Sequence, residues 1–359
     1  MYWRYQHGSS LRDLIRNLLR IFRQLLVITD GDVGEALNHL DEIGERYRLW
    51  RDEFGPADFR RLIQRRGEVR REAAGSLTLT RKGERAIRRQ MLEEVFSKMR
   101  TGGAGEHRLP HAGGPGEVTD ETRAYRFGDT LDALDVNRTL GNWLMRTGGD
   151  GLPAESDLEV REREQQTSCA TVLLIDVSHS MTLYGEDRIT PAKRVALALT
   201  ELILTKYPKD TIDVVLFGDD AHPVPIEKLP YITNGPFHTN TRAGLILAQE
   251  LLKRRKTANR QIIMITDGKP SAIHEDGRLY KNPFGLDEKV VAKTLEEAGR
   301  CRRKRIPITT FMLTADPYLR GFIEDFTEIN RGRAYFADSS RIESFVLVDF
   351  LKNRRRRVR

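Results

Sequence analysis

Between Cys169 and Phe336 short apolar runs alternate with helical patterns, and this alternation constrains the chain more than any other feature. The run Val172–Ile175 is apolar at every position and stops at Asp176. A strand with one face in water alternates, whereas a strand apolar throughout is buried on both faces, as in a parallel sheet. Helical patterns at Pro191–Tyr207, Thr241–Arg254 and Asp287–Arg303 alternate with strand patterns at Ile212–Phe217, Gln261–Thr266 and Ile306–Leu313. Pro317–Ile329, Arg333–Phe336 and Ile342–Lys352 complete the series. The expectation over 166–351 is an α/β domain with a doubly wound, mainly parallel, Rossmann-like sheet. Its ligands should gather beyond the carboxyl ends of the strands.

Three polar clusters occupy such positions. Asp176-Val177-Ser178-His179-Ser180 closes the first strand, Thr239-Asn240-Thr241 precedes a helix, and Asp267-Gly268 closes the strand that ends at Thr266. Alternate residues of an extended segment share a face, so Asp176, Ser178 and Ser180 are expected to converge. Loops from neighbouring strands would add Thr239 and Asp267. Singly, each cluster has a bland explanation, since a strand-end Asp or a Thr-x-Thr before a helix is often only a helix cap. Jointly they describe a pocket of two carboxylates and three hydroxyls. Such a donor set suits a hard divalent ion, Mg²⁺ or Mn²⁺, rather than zinc or copper.

The Asp-x-Ser-x-Ser, Thr and Asp-Gly set resembles the metal-ion-dependent adhesion site of von Willebrand factor A (VWA) domains, over about residues 155–350. The resemblance implies that Ser178, Ser180 and Thr239 bind the ion directly, with Asp176 and Asp267 acting directly or through water. Thr241 is a less favoured ligand than Thr239. His238 departs from the family pattern, which commonly has a small residue there; with His179 it raises the prospect of imidazoles near the ion. The whole chain, including Tyr125–Asn142 and Asp157–Met181, resembles intracellular bacterial VWA proteins associated with MoxR-type AAA+ ATPases, some of them similar to the VWA subunit of magnesium chelatase. The implied role is chaperone-like assembly or metal insertion. The implied ligand is a partner's Asp or Glu carboxylate, completing the coordination of the ion.

The first hundred residues read as a smaller, mostly helical domain. Leu11, Leu14, Ile15, Leu18, Leu19, Phe22, Leu25 and Leu26 form an apolar face opposite Arg12, Arg16, Arg20 and Arg23, the pattern of a bundle helix with a solvated basic side. Helical patterns follow at about 33–50 and 56–64. The β-prone run Leu77–Thr80 then enters a basic helix, which resembles the end of a winged-helix module. Some such modules bind DNA and others dock proteins. Residues 101–117, rich in Gly and Pro, read as a linker and 118–165 as a connecting segment, in which Asp157–Val160 alternates like an edge strand.

Charge is unevenly placed. Residues 1–100 hold 21 Lys/Arg against 15 Asp/Glu, and 352–359 hold six basic groups and no acid, so the middle is net −4 within a total of +8. That excludes a uniform basic coat for nucleic acid and leaves a terminal Arg tail. The chain has two cysteines, Cys169 and Cys301, too few for a disulfide framework, and no apolar run long enough to span a membrane. A cytoplasmic protein is expected. Nothing supplies a nucleophile–base pair, a Walker A loop or a dinucleotide fingerprint. Ser178 stands where a haloacid-dehalogenase phosphatase needs a second Asp. The chain therefore reads as a binding protein and not an enzyme. The competing reading is a nucleic-acid-binding regulator that uses the N-terminal region and the Arg tail. The polar stretch 268–286 reads as a long loop rimming the ion and selecting the partner.

Overall fold

A computed structural model describes the chain apart from 1–9, 102–121, 126–133, 162–167, 337–341, 343–345, 352–359 and the positions 74, 149, 186, 236, 258, 283, 285, 314 and 315. Most of the linker and the whole basic tail thus lie outside the described residues. The described residues of 1–101 and 168–351, although far apart in sequence, belong to one compact unit; those between 122 and 161 form a second.

The N-terminal part of the first unit runs α1 (Leu11–Ile28), α2 (Val33–Arg46), α3 (Pro56–Arg65), β1 (Val69–Arg71), β2 (Leu77–Leu79) and α4 (Arg81–Thr101). Ser10 and Asp32 cap α1 and α2 by accepting from backbone N–H groups. Pro56 opens α3, where its missing N–H costs nothing. β1 and β2 pair antiparallel with Arg70 opposite Thr78. The β-prone run at 77–79 is therefore half of a hairpin. Its arginine-rich partner strand carries no apolar alternation and was silent in the sequence.

In the second unit β3 (Thr122–Ala124) pairs antiparallel with β4 (Glu159–Arg161), with α5 (Val136–Thr147) between them in the chain. Asp157 is buried and accepts two hydrogen bonds from Arg146 at 2.7 and 2.6 Å, which ties the end of α5 to the approach to β4.

The sheet domain follows as β5 (Cys169–Asp176), α6 (Ile189–Lys206), β6 (Thr211–Phe217), β7 (Ala221–Val224), α7 (Thr241–Lys253), β8 (Asn259–Thr266), β9 (Ala272–Glu275), β10 (Arg278–Lys281), α8 (Glu288–Arg303), β11 (Ile308–Met312), α9 (Pro317–Asn330) and β12 (Arg333–Phe336). Six strands form one sheet in the order β12-β11-β8-β5-β6-β7. Every neighbouring pair is parallel except β6–β7. The expected doubly wound, mainly parallel architecture is present, with an antiparallel edge strand.

All eight residues of β5 are buried, and its side chains alternate between two cores. Val172 and Leu174 face one core with Leu245, Leu252, Met264 and Phe326. Leu173 and Ile175 face the other, which continues without a break through α6 to Leu18, Phe22, Ile87 and Met91 of the N-terminal helices. Helix α6 is therefore covered on both sides, which explains its nearly unbroken buried run from Val195 to Ile203. Two ion pairs cross this junction, the second of them buried on both sides. Lys193 of α6 bonds Asp30 in the α1–α2 turn, and Arg88 of α4 reaches Glu201 at 3.3 Å. Among the described residues no helix is long and apolar enough to cross a membrane.

Candidate metal centre

Asp176, the last residue of β5, is fully buried, and each of its oxygens has a donor. The Ser178 N–H donates to Oδ1 at 2.9 Å and the Thr266 hydroxyl donates to Oδ2 at 2.6 Å. Thr266 is fixed in turn by the Gly268 N–H at 3.1 Å. Ser178 and Ser180 bring their hydroxyl oxygens to 3.1 Å. The expected convergence of these residues is present, but its cause differs from alternation along an extended segment. From His179 to Gly185 the chain turns as a 3₁₀ helix, and this tight turn folds Ser180 back toward Ser178.

Asp267 follows β8 and is 3% exposed. Ser180 acts to lower the Asp267 pKa, and the Asp267 charge acts on Asp176, so the first and third clusters meet. Thr239 arrives by its backbone. The His179 N–H donates to the Phe237 carbonyl at 3.0 Å and the Gly235 N–H to the Val177 carbonyl at 3.2 Å, stitching the Thr239 segment beside the 3₁₀ turn. The other side of Thr239 is clamped by Ser271. Its Oγ accepts from the Thr239 N–H at 2.9 Å, and the N–H groups of Ser271 and Ala272 both donate to the Thr239 carbonyl. Asn240, not Thr239, caps α7 by accepting from Ala243. Among the described residues no hydrogen bond engages the Thr239 hydroxyl, so the simple capping explanation does not account for it.

Burial, then the charge of Asp267, pushes the Asp176 carboxyl up to about 7 against the donors from Ser178 and Thr266. Asp267 is also raised, by burial, although Ser180, Lys269 and Arg188 oppose the shift. The Arg188 guanidinium stands 4.0 Å from Asp267, beyond a good hydrogen bond. Two buried carboxylates thus sit close together, with Arg188 at the outer limit of ion-pair distance from Asp267 and the hydroxyls of Ser178 and Ser180 beside them. That donor set fits a hard divalent ion: bringing one in would offset the burial cost that raises both groups and the charge of Asp267 that acts on Asp176. Among the described residues no three His, Cys, Asp or Glu side chains converge, here or elsewhere, so the site is built on two carboxylates and hydroxyls.

The two histidines lead away from the site. His179 is exposed, and the Nδ1 of His238 lies 3.1 Å from Asp219. The stretch 268–286 is not a long loop. It contains the antiparallel pair β9–β10, with Asp276 and Gly277 at positive φ in the turn. The Asp-Gly pair was the available signal; buried Ala272 and Ile273 anchor the hairpin. Thr266, Ser271 and Arg188 are contributors that sequence reasoning missed. A hydroxyl ending an otherwise apolar strand could have drawn attention to Thr266, whereas nothing local distinguishes Ser271 or Arg188.

The profile of the vWA domain of Rv0959-like proteins matches residues 169–351, and that of the third domain of the same proteins matches 117–163. Rv0959 of Mycobacterium tuberculosis and Mb0984 of Mycobacterium bovis are each 32% identical to this chain over 310 residues, covering 84% of it and 45% of the relative. The chain spans about half the length of the curated relatives it matches. Among solved structures, the vWF domain of the type V pili tip protein Mfa5 from Porphyromonas gingivalis aligns with TM-score 0.43 and 13% identity, covering 52% of this chain and 95% of that one. The SpRpn10 VWA domain aligns with TM-score 0.36 and 17% identity, covering 50% and 93%. The profile match takes in the whole sheet, from the first residue of β5 to beyond β12. On that match the chain belongs to the Rv0959-like family of vWA proteins.

Proposed function

We propose that this vWA domain is a divalent-metal-dependent protein-binding module. The observation that carries the reading is the pairing of Asp176 with Asp267, both buried, both with raised carboxyl pKa, beside the hydroxyls of Ser178 and Ser180. Ser178, Ser180 and Thr239 would hold Mg²⁺ or Mn²⁺, with Asp176 and Asp267 as charged support. When bound, such an ion supplies a Lewis-acidic position that takes an external carboxylate. The chain's own part is positional. Thr266 and the Ser178 N–H orient Asp176, Ser271 fixes the Thr239 backbone, and burial keeps water from competing for the charges.

The ligand in this reading is an Asp or Glu side chain of a partner protein. The partner we propose is a MoxR-type AAA+ ATPase, for which the resemblance of the whole chain to intracellular bacterial VWA proteins is the support. The setting is the cytoplasm, in keeping with the two free, buried cysteines. The chain has no turnover of its own; ATPase and phosphatase activity at background level in the purified protein is expected. Mg²⁺-dependent hydrolysis abolished by Asp176→Asn would replace this reading with a phosphatase.

Affinity capture with Mg²⁺ and with chelator tests the proposal. A P-loop ATPase retained only with Mg²⁺, and lost in Thr239→Ala, supports it. Deleting 352–359 should weaken capture only in a salt-sensitive way, because an Arg tail offers a screened field rather than a directional bond. Capture abolished by the deletion at moderate salt but untouched by Thr239→Ala would move the binding site to the tail.

A further inference from the structure

The surface charges of residues 56–85, spanning α3, the β1–β2 hairpin and the first turn of α4, become one-sided once ion pairs are set aside. Three of the four acids are ion-paired, Asp58 with Arg61, Glu72 with Arg70, and Glu68 with Arg23 and Arg66; the fourth, Glu84, is buried, accepts from the Tyr231 hydroxyl and has its carboxyl pKa raised by burial. Arg60 is held by Asp41. Arg65, Arg71, Arg81, Lys82 and Arg85 are exposed, and none has an acidic partner among the described residues. They belong to neighbouring segments. The Thr80 hydroxyl donates to the Gly67 carbonyl at 2.6 Å, and the Lys82 side chain lies against Gly67, so the start of α4 abuts the end of α3. Cations in the first turn of a helix oppose the helix dipole, which makes Arg81 and Lys82 costly residues for stability alone.

The same surface exposes no large apolar side chain among its described residues. Protein interfaces are anchored by buried aromatic and aliphatic groups, whereas a polyanion with regularly spaced phosphates needs only cations. Four of the five free cations are arginines, which suit phosphate. Helix α3 turns Phe59 and Ile63 inward and leaves Arg61, Gln64 and Arg65 outside. Its ten residues span about 15 Å, and the major groove of DNA, about 12 Å wide, admits a helix.

We propose that α3, the β1–β2 hairpin and the start of α4 form a surface for duplex DNA, independent of the metal centre, with Arg65, Arg71, Arg81, Lys82 and Arg85 meeting phosphates. Fluorescence anisotropy of the full chain with a duplex of about 20 base pairs, at about 50 and 200 mM salt, tests it. Five phosphate contacts predict a roughly 500-fold loss of affinity between those salt concentrations. Arg65→Ala, Arg71→Ala and Arg85→Ala together should weaken binding at least about 10-fold and flatten the salt slope by about 3, with circular dichroism unchanged. Chelator should have no effect. The proposal is overturned if the native chain does not bind at low salt, or if the triple variant binds as well as the native chain. It is equally overturned if replacing Arg354, Arg355, Arg356 and Arg357 by Ala alone removes binding. Poly-glutamate competing as well as DNA would reassign the surface to an acidic protein. An RNA duplex binding as tightly would exclude the groove, because its major groove is too narrow for a helix.

Discussion

Glu68, among the N-terminal helices, and Asp176, at the end of β5, are both buried carboxylates, and they are held in opposite ways. Burial opposes ionisation of Glu68, but Arg23 at 2.7 Å and Arg66 at 3.0 Å outweigh it and hold the carboxyl below its usual range. Asp176 receives one N–H and one hydroxyl, with another carboxylate as its charged neighbour, and is pushed up to about 7. Glu68 is complete within the chain and serves the scaffold. Among the described residues Asp176 has no ion pair, and Asp267 has Arg188 at 4.0 Å. What separates the two regions is not burial but how closely the chain supplies the counter-charge.

The largest expected effect comes from removing the Asp176–Asp267 pair. Asp176→Ala with Asp267→Ala should abolish Mg²⁺ and Mn²⁺ binding by calorimetry while the fold persists. Heat-denaturation scans should show the native chain stabilised by excess Mg²⁺, by about 3–4 kcal/mol at 100 to 1,000 times the dissociation constant, and the variant unaffected. Retained binding would remove the site from these residues.

Glu68→Ala tests the other side of the comparison. It leaves Arg23 in a half-buried position without its partner, and breaking a buried pair from one side costs about 3–5 kcal/mol. Urea unfolding should show that loss equally with Mg²⁺ and with chelator. A loss that depended on metal would blur the division between scaffold and site.

Thr266→Val keeps the shape of β8 but removes the donor to Asp176 Oδ2. Loss of a group that orients a ligand weakens metal affinity by about 10- to 100-fold. Titration should show that drop with little change in stability in chelator. An unchanged affinity would mean that Ser178 and its neighbours orient Asp176 unaided.

The smallest effect is a slope with pH. Without metal, the folded-state pKa of Asp176, about 7, lies above the ordinary value near 3.8, so the folded chain holds the proton more tightly. This group's contribution to stability is fully present below about 4 and is lost as pH rises through 7. Glu68 has the reverse sign: its contribution is present above about 4.5 and is lost as pH falls below that. In chelator the native chain should lose stability from pH 5.5 to 7.5 relative to Asp176→Asn. In saturating Mg²⁺ the trend should reverse, because protons compete with the ion. Parallel native and variant curves in chelator would show that Asp176 ionises normally.

Much of the sheet and the site was legible because both depend on local pattern. An apolar run ending in Asp176 announces a buried strand end, and the strand β8 announces Asp267 in the same way. The β1 strand was not legible, because Val-Arg-Arg carries no alternation, and neither was the 3₁₀ turn after His179 that brings Ser180 to Ser178. The β9–β10 hairpin was half legible: its Asp-Gly turn was in view, but the length of the polar stretch concealed the pairing.

By itself the sequence determined which segments become buried strands and helices, and which oxygen-bearing residues end them, because periodicity and strand termination are set by neighbours along the chain. It also placed a helix over Pro191–Tyr207, without showing what covers it. Only the tertiary structure decided that α1 and α4 supply that cover, that Lys193 meets Asp30 and Arg88 meets Glu201, and that Arg23 neutralises Glu68 while Asp176 is left beside Asp267. Charges act through space, so which of them cancel depends on which distant segments meet, and a pattern read along the chain carries no record of those meetings.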